Sequence, residues 1–293
     1  MDLSLGIACA LVALVGWGLG DFFIQRATRA SGVHETLFVI TGASTILLLP
    51  FVWHDAIAAT HVDIAILAVL SVITYAYAIA IFEAFREGKL SIVESVVGLE
   101  LPLTVLLAVL FGGEKLSGVS LGLFVLVSLG IMLAVTRSTS HFFTRHIIER
   151  GALLALAAAA LSALTNFSIG TASQHLSPLL VIWFTHAVVL IPAMGYLASE
   201  GRLAHFLRSL GRHPEVYLPV ALFDNAAWVG FAYAAAFAPI SLVATVSESY
   251  VLLAALLGHF LNHETLRPHQ LAGALIALCG VIAFALTMPS STL

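Results

Sequence analysis

Apolar residues in this chain come in long runs, and polar residues are confined to short breaks between them. A helix needs roughly 17–25 such residues to cross a bilayer. Ten runs meet that need, at about 3–25, 33–53, 62–85, 90–111, 118–136, 151–173, 177–198, 215–237, 240–261 and 269–287. The breaks have the chemistry of helix ends. Ser31-Gly32, Gly88, Gly112-Gly113, Ser177-Pro178 and Arg267-Pro268 are stop or start signals. His213-Pro214-Glu215 puts a proline in a first turn, where its missing N–H costs nothing. The longest connections, 137–150 and 199–214, leave room for short surface helices but not for a soluble domain. The first run has no basic segment before it and no clear cleavage site, so it is predicted to stay as a spanning helix.

Composition turns these runs into a membrane protein. The 293 residues are 60% hydrophobic and only 10% charged, with a mean hydropathy of +1.05. Soluble domains carry about 25% charge. A net charge of −4 with no basic face excludes nucleic acid as a partner. Cys9 and Cys279 lie inside apolar runs and read as small hydrophobes rather than a disulfide. The basic residues set the orientation. Of 12 Lys and Arg, all but Lys115 fall in the connections after odd-numbered runs. The positive-inside rule puts that side in the cytoplasm and both termini outside the cytoplasmic (inner) membrane.

An internal repeat divides the chain. GGEKLSGVSLGLFVLVSLGIMLAVT, ending at Thr136, echoes NHETLRPHQLAGALIALCGVIAFAL, ending at Leu286. At an offset of 150, Glu114 meets Glu264, Leu116 meets Leu266, Leu121 meets Leu271 and Gly130 meets Gly280. GIACALVALVGWGLGDF likewise resembles GALLALAAAALSALTNF, pairing Asp21 with Asn166 at an offset of 145. The halves, 1–140 and 150–288, would hold five helices each. Five is odd, so the second half enters the membrane upside down. The expected fold is all-α and integral to the membrane, with ten transmembrane helices as two inverted five-helix repeats around a central cavity. Secondary transporters use that architecture, with the site near the midplane between the halves.

Several motifs carry a family likeness. Trp17-Gly18 in the first helix, LPLTVLLAVLFGGEKLS (101–117), its looser copy LLAALLGHFLNHETL (252–266) and the closing QLAGALIALCGVIAFAL (270–286) resemble the EamA-type branch of the drug/metabolite transporter superfamily. The resemblance implies a ten-helix bundle whose cavity is walled mainly by helices 1, 3 and 4 and their counterparts 6, 8 and 9. Members move small metabolites, often amino acids, and several are exporters. No enzyme activity is expected of the chain. The second copy has Leu252 in place of Pro102 and His263 in place of Gly113, so gating is expected to differ between the halves. Many members are drawn with their termini inside; the charge count argues the reverse here.

Most of the 16 acidic residues sit at helix ends. Glu83 is placed to pair with Arg86, and Asp21 to lie near the cytoplasmic end of its helix beside Arg26. Glu94 would snorkel, and Glu114 and Glu264 would cap or pair near Lys115 and Arg267. Three acids are deep. At 1.5 Å per residue, Glu100 lies about 15 Å, Asp224 about 14 Å and Glu248 about 12 Å into their helices. Those depths approach the middle of a ~30 Å hydrocarbon core, where an ionised side chain costs at least ~2.5–3.5 kcal/mol unless a cavity or partner faces it. Helices 4 and 9 are repeat counterparts, so Glu100 and Glu248 approach one region from opposite directions.

No Lys or Arg is found at that depth, so the carboxyls favour a proton or a cationic group. The expected substrate-binding set is Glu100, Glu248, Asp224, Trp17, Tyr77, Asn166, Trp228 and Tyr250. Tyr75, Trp183, Tyr233, Asn225, Ser247 and Ser249 are further candidates for the walls. Gly98 and Pro102 are the candidate hinge, with Pro102 loosening helix 4 beside the site. The competing reading makes the acids protonated packing glue. His186 reads as a core histidine or a titrating group. His259, His263 and Glu264 have a metal-like spacing, but no third ligand is predictable, so no metal is expected.

The function expected is a secondary transporter, exporting amino acids, amines or related small organic solutes by alternating access. It would need no cofactor, would be open to proton coupling, and would work as a monomer or homodimer in the lipid bilayer. The alternatives are multidrug, organic-cation or proton-coupled efflux and, from another class, a membrane-embedded enzyme or assembly subunit. A reporter fused to either terminus should report an extracytoplasmic location; a cytoplasmic C-terminus contradicts the orientation.

Overall fold

The structure, a computed structural model, describes residues 2–88, 93, 96–135, 150–253 and 267–287. Among the described residues there are eleven helices and no strand. They are α1 (Leu3–Ala30), α2 (Val33–Ala58), α3 (His61–Glu87), α4 (Glu100–Leu110), α5 (Gly118–Val135), α6 (Arg150–His175), α7 (Pro178–Ser199), α8 (Leu203–Leu210), α9 (Pro214–Phe237), α10 (Ile240–Ser247) and α11 (Pro268–Thr287). Six of them, α1, α2, α3, α6, α7 and α9, are long and apolar enough to cross a membrane. Four more, α4, α5, α10 and α11, are apolar but shorter. The fourth and ninth runs extend beyond the described residues, so the expected ten spans are not all established. The eleventh helix, α8, is the short helix expected in the 199–214 connection, and it buries Phe206.

The helix ends follow from local sequence. Asp2 accepts from the Leu5 N–H and caps α1. Thr60 and Asp63 form a reciprocal capping box at the start of α3. Pro178 and Pro214 open α7 and α9. One boundary differs from expectation: α1 continues to Ala30, five residues past 25. Arg29 permits this by reaching across to the end of α3. Its Nη2 donates to the Gly88 carbonyl at 2.6 Å and its Nε to the Phe85 carbonyl at 3.3 Å.

The helices pack as two related halves. The α1–α9 contact has its counterpart in α3–α6, α3–α7 in α2–α9, and α1–α10 in α4–α6. Three helices, α2, α4 and α5, each pack against their own counterparts α7, α10 and α11. A two-fold relation between the repeats requires this pattern. Side chains turned outward are large and apolar, among them Ile46, Phe51, Val69 and Phe111. In water they would be a liability; against lipid tails they are the matching surface.

Close approach of small residues sets the spacing within this bundle. A Cβ on Gly16 of α1 would lie 2.7 Å from Ala227 Cβ and 2.8 Å from the Phe223 carbonyl on α9. A Cβ on Gly273 of α11 would lie 2.5 Å from Ala134 N and 2.7 Å from the Gly130 carbonyl of α5. The α1–α9 approach seats Trp17 against Trp228 of α9. Gly16→Leu should push α1 from α9 and destabilise the protein by roughly 1–3 kcal/mol, read as a lower thermal midpoint in detergent. Gly122→Leu, where an added Cβ meets no atom within 4 Å, should leave the midpoint near the wild-type value. Equal shifts in the two variants contradict the packing.

Candidate functional site

The site begins with two helix interruptions. Residues 98–99 form a turn immediately before α4, and residues 248–249 a turn immediately after α10. The repeat offset of 150 makes these the same position in the two halves. Both turns are tightened rather than open. Leu99 N–H bonds the Val96 carbonyl, and Ser249 N–H bonds the Val246 carbonyl, each an i→i+3 contact. The interruptions are made differently. Pro102 has no N–H to give to the Gly98 carbonyl. At the equivalent place, Leu252 N–H bonds the Ser249 carbonyl at 3.0 Å, three residues back rather than four.

The structure corrects the expected part played by Pro102. It sits in the first turn of α4, where N–H groups lack intrahelical partners in any case. It therefore marks a helix start and does not bend a continuous helix. The second half makes the same turn without a proline, so the asymmetry expected between the repeats does not extend to the turn itself.

The turns carry acids inward. Glu100 is the first residue of α4, and Glu248 the cap residue at the end of α10; they are 3% and 2% exposed. The Glu100 carboxyl borders one small space with Glu248 and Ser162 of α6 and accepts from the Tyr250 hydroxyl. The Tyr250 hydroxyl donates at a long 3.4 Å. Asn166 Nδ2 of α6 donates to Glu248 Oε1 at 2.8 Å, whereas Asn166 Oδ1 has no hydrogen-bond partner among the described residues.

Two adjoining chambers surround these groups. The smaller is lined by Trp17, Asp21, Tyr77, Glu100, Ser162, Asn166, Glu248 and Tyr250, with a free volume of about 10 Å³. The larger, of about 40 Å³, shares Trp17, Asp21 and Tyr77 and adds Asp224, His186, Thr41, Thr74, Trp228 and an apolar floor including Ile24, Leu37 and Phe85. The smaller offers the space of about one water and the larger of a few. A larger solute enters only if the walls move. Between the chambers stands an aromatic cluster. Trp17 meets Trp228 edge-on at 5.1 Å and Tyr250 at 6.0 Å, and Tyr77 meets Trp228 at 6.3 Å. In the larger chamber His186 Nδ1 and Thr74 Oγ1 are buried with no hydrogen-bond partner among the described residues.

Polar ties close both ends of the bundle. At the end rich in basic residues, Arg202 pairs with the buried Glu35 and donates to the Ser31 carbonyl, and the hydroxyls of Ser31 and Tyr217 meet at 2.6 Å. Glu83 pairs with Arg86 at 2.6 Å, as its spacing predicts. At the opposite end the Glu114 carboxylate accepts from the Ile240 and Ser241 N–H groups at 2.5 and 3.0 Å. Glu114 thus caps α10 of the other half.

All eight residues expected to bind substrate line one or both chambers. Four polar residues missed as such, Asp21, Ser162, Thr74 and Thr41, do so too. Asp21 was placed near a helix end by its neighbour Arg26, yet it is 8% exposed and borders both chambers. Ser162 carried no signal beyond its inward face, and Thr74 only its nearness to Tyr77. The resemblance implied walls from spans 1, 3, 4, 6, 8 and 9; α2 and α7 also contribute, through Thr41 and His186. Asn225 serves packing, donating to the Ile40 and Ala221 carbonyls, and Trp183 Nε1 donates to the Thr45 carbonyl. Among the described residues no group of three metal-ligating side chains occurs. Glu94, His259, His263 and Glu264 lie outside the described residues.

A solved structure described only as "Crystal structure of protein" shares the fold with a TM-score of 0.70 at 12% identity, over 98% of this chain and 99% of that one. No curated protein matches. The model of the EamA-like transporter family matches the sequence twice, over residues 4–136 and 149–286, the two halves that the repeat and the helix packing define. The chain therefore belongs to the EamA-like transporter family and is a membrane transporter of the drug/metabolite transporter superfamily.

Proposed function

We propose that this transporter exports small organic solutes bearing a protonated amino group, amino acids or amines, across the cytoplasmic membrane by alternating access. The larger chamber supports the reading most directly. Asp21 and Asp224 bring carboxyl groups to a space with aromatic walls, and among the described residues no Lys or Arg lines it. An ammonium group gains there from the carboxylates and from the faces of Trp17, Trp228 and Tyr77. The Thr74 hydroxyl, buried with no hydrogen-bond partner among the described residues, offers a hydrogen bond to a second polar group such as a carboxylate or hydroxyl of the solute.

Size and closure support alternating access. The chambers are too small for such a solute as they stand, and polar ties hold both ends of the bundle. Opening one set of ties at a time, with the equivalent turns at 98–99 and 248–249 as hinges, would expose the chamber to one side and then the other. The position of the chamber supports export. The larger chamber reaches Ile24, Leu37 and Phe85, close to the basic end that the positive-inside rule puts in the cytoplasm. Bulky organic cations are the second reading, favoured by the aromatic walls.

Purified protein in proteoliposomes should move at least one labelled compound among the proteinogenic amino acids and a series of primary amines. Asp224→Asn should lower that flux about tenfold to a hundredfold, the cost of one charge-assisted hydrogen bond. Transport of quaternary ammonium compounds alone would select the second reading. No flux for any of these solutes overturns the function, and unchanged flux in Asp224→Asn removes Asp224 from the site.

A further inference from the structure

We propose that α8 is a clasp that shuts the basic end of the bundle by gripping α2 of the other half at two points. The repeat itself does not call for this helix. In the first half, α2 passes to α3 through Ala59 and Thr60 alone; the equivalent connection, from α7 to α9, is long enough to hold α8. The second half therefore carries an extra element, and that element sits at one end of the bundle.

The first grip is an ion pair. Arg202, the cap residue of α8, pairs with Glu35 in the first turn of α2 and donates to the Ser31 carbonyl at 3.3 Å. The backbone on both sides is shaped for it. Gly201 takes a φ of +66°, the left-handed turn that ends α7 and aims Arg202 back at α2. Gly32 takes a φ of +120°, and a Cβ there would collide with Glu35 Oε2. Its bare backbone leaves the carboxylate room to fold over the start of α2. The second grip is apolar. Phe206 follows Arg202 by four residues and so shares its face of α8. Its ring meets Phe38 of α2 edge-on at 6.0 Å and Tyr217 of α9 at 5.5 Å. Glu35 and Phe38, the two points gripped, are three residues apart on α2, and Val39 and Leu197 complete the buried cluster.

This grip is built to release. The Arg202 side chain is 49% exposed and that of Glu35 only 4%. A guanidinium already half in water loses little when the pair opens, and the carboxylate gains water as the gap widens. The grip also joins the two halves, so any motion that parts them at this end must break it. Leu37 and Ile40 of α2 line the larger chamber; letting go of α2 frees a wall of that chamber. The other end closes by different means. Val33 and Pro178 open α2 and α7, and at that offset of 145 the counterpart of Glu35 is Leu180, which is apolar and buried. The tie described at the other end is the Glu114 carboxylate on two backbone N–H groups of α10. The two ends thus open against different forces.

Thiol accessibility of the purified full-length protein in nanodiscs, with no solute added, tests the clasp. The reporter is Leu37→Cys in a background carrying Cys9→Ala and Cys279→Ala, and the probe is a charged, water-soluble methanethiosulfonate. Glu35→Gln keeps the side-chain shape and removes the charge. It should raise the rate of modification about tenfold, and so should Arg202→Gln. Arg202→Lys, which can still pair with Glu35, should stay near the parent rate. So should Arg208→Gln, an exposed arginine of the same helix that donates to its own Ala204 carbonyl. A second reporter, Ala244→Cys, is buried in α10 away from the clasp and should keep its rate in Glu35→Gln. An unchanged rate at Leu37→Cys in Glu35→Gln overturns the clasp. An equal rise at Ala244→Cys means general loosening and overturns it too. If Arg202→Gln does not purify as monodisperse protein, Glu35→Gln and Arg202→Lys decide.

The clasp goes beyond the proposed transport function and is tested without a solute. A faster reaction in Glu35→Gln, in a protein that moves none of the amino acids or amines, removes that function and leaves the clasp standing. An unchanged reaction in a protein that moves them does the reverse.

Discussion

A buried carboxyl group must be faced by something, and in this protein Glu100 and Glu248 are buried around one small chamber. The two halves meet there in one contact, Tyr250 of the second half donating to Glu100 of the first. Much of the described architecture can be read as what that contact requires. Helices must stop near it, because a regular helix would carry the side chains past each other. Small residues must let α1 and α9 close together, so that Trp17, Asp21 and Asp224 stand beside the pair. Polar neighbours must come from α6, since a lone acid pair in hydrocarbon lacks partners for its remaining lone pairs.

The two halves reach this arrangement by different chemistry. The first uses Pro102, which cannot donate a hydrogen bond; the second uses a tightened turn in which Leu252 bonds three residues back. The same shape from different residues means that the pseudo-symmetry belongs to the backbone and not to the side chains. The inward-facing groups at equivalent places are accordingly unlike. At the offset of 150, Glu100 corresponds to Tyr250, and Glu248 to Gly98. One residue of each half is an acid, yet the acids are not repeat mates. Glu114 adds a cross-tie of another kind, holding the start of α10 with a carboxylate from the first half.

The sequence made height legible and azimuth only partly so. Counting residues at a fixed rise placed Glu100, Asp224 and Glu248 near the midplane, and they do line the chambers. The same count failed for Asp21 because the end of α1 was set at residue 25. With the helix ending at Ala30, Asp21 lies nine residues from that end, about 13 Å in. Ser162, Thr74 and Thr41 were illegible for another reason. Small polar residues occur on every face of membrane helices, where they bond their own backbone, as Thr41 does to the Leu37 carbonyl. Pro102 announced an interruption in the first half, but nothing in Leu252 announced its equivalent, because that turn depends on which carbonyl an ordinary N–H selects.

The shared chamber of the two glutamates is tested most directly by a double-mutant cycle on thermal stability: wild type, Glu100→Ala, Glu248→Ala and the double variant. Acids buried around one chamber should be non-additive, with a coupling of roughly 0.5–3 kcal/mol. Once one acid is removed, the second should cost far less to remove than it does from the wild type. Additive effects, within about 0.3 kcal/mol, would show that Glu100 and Glu248 act apart and would contradict the shared chamber at the centre of the structure.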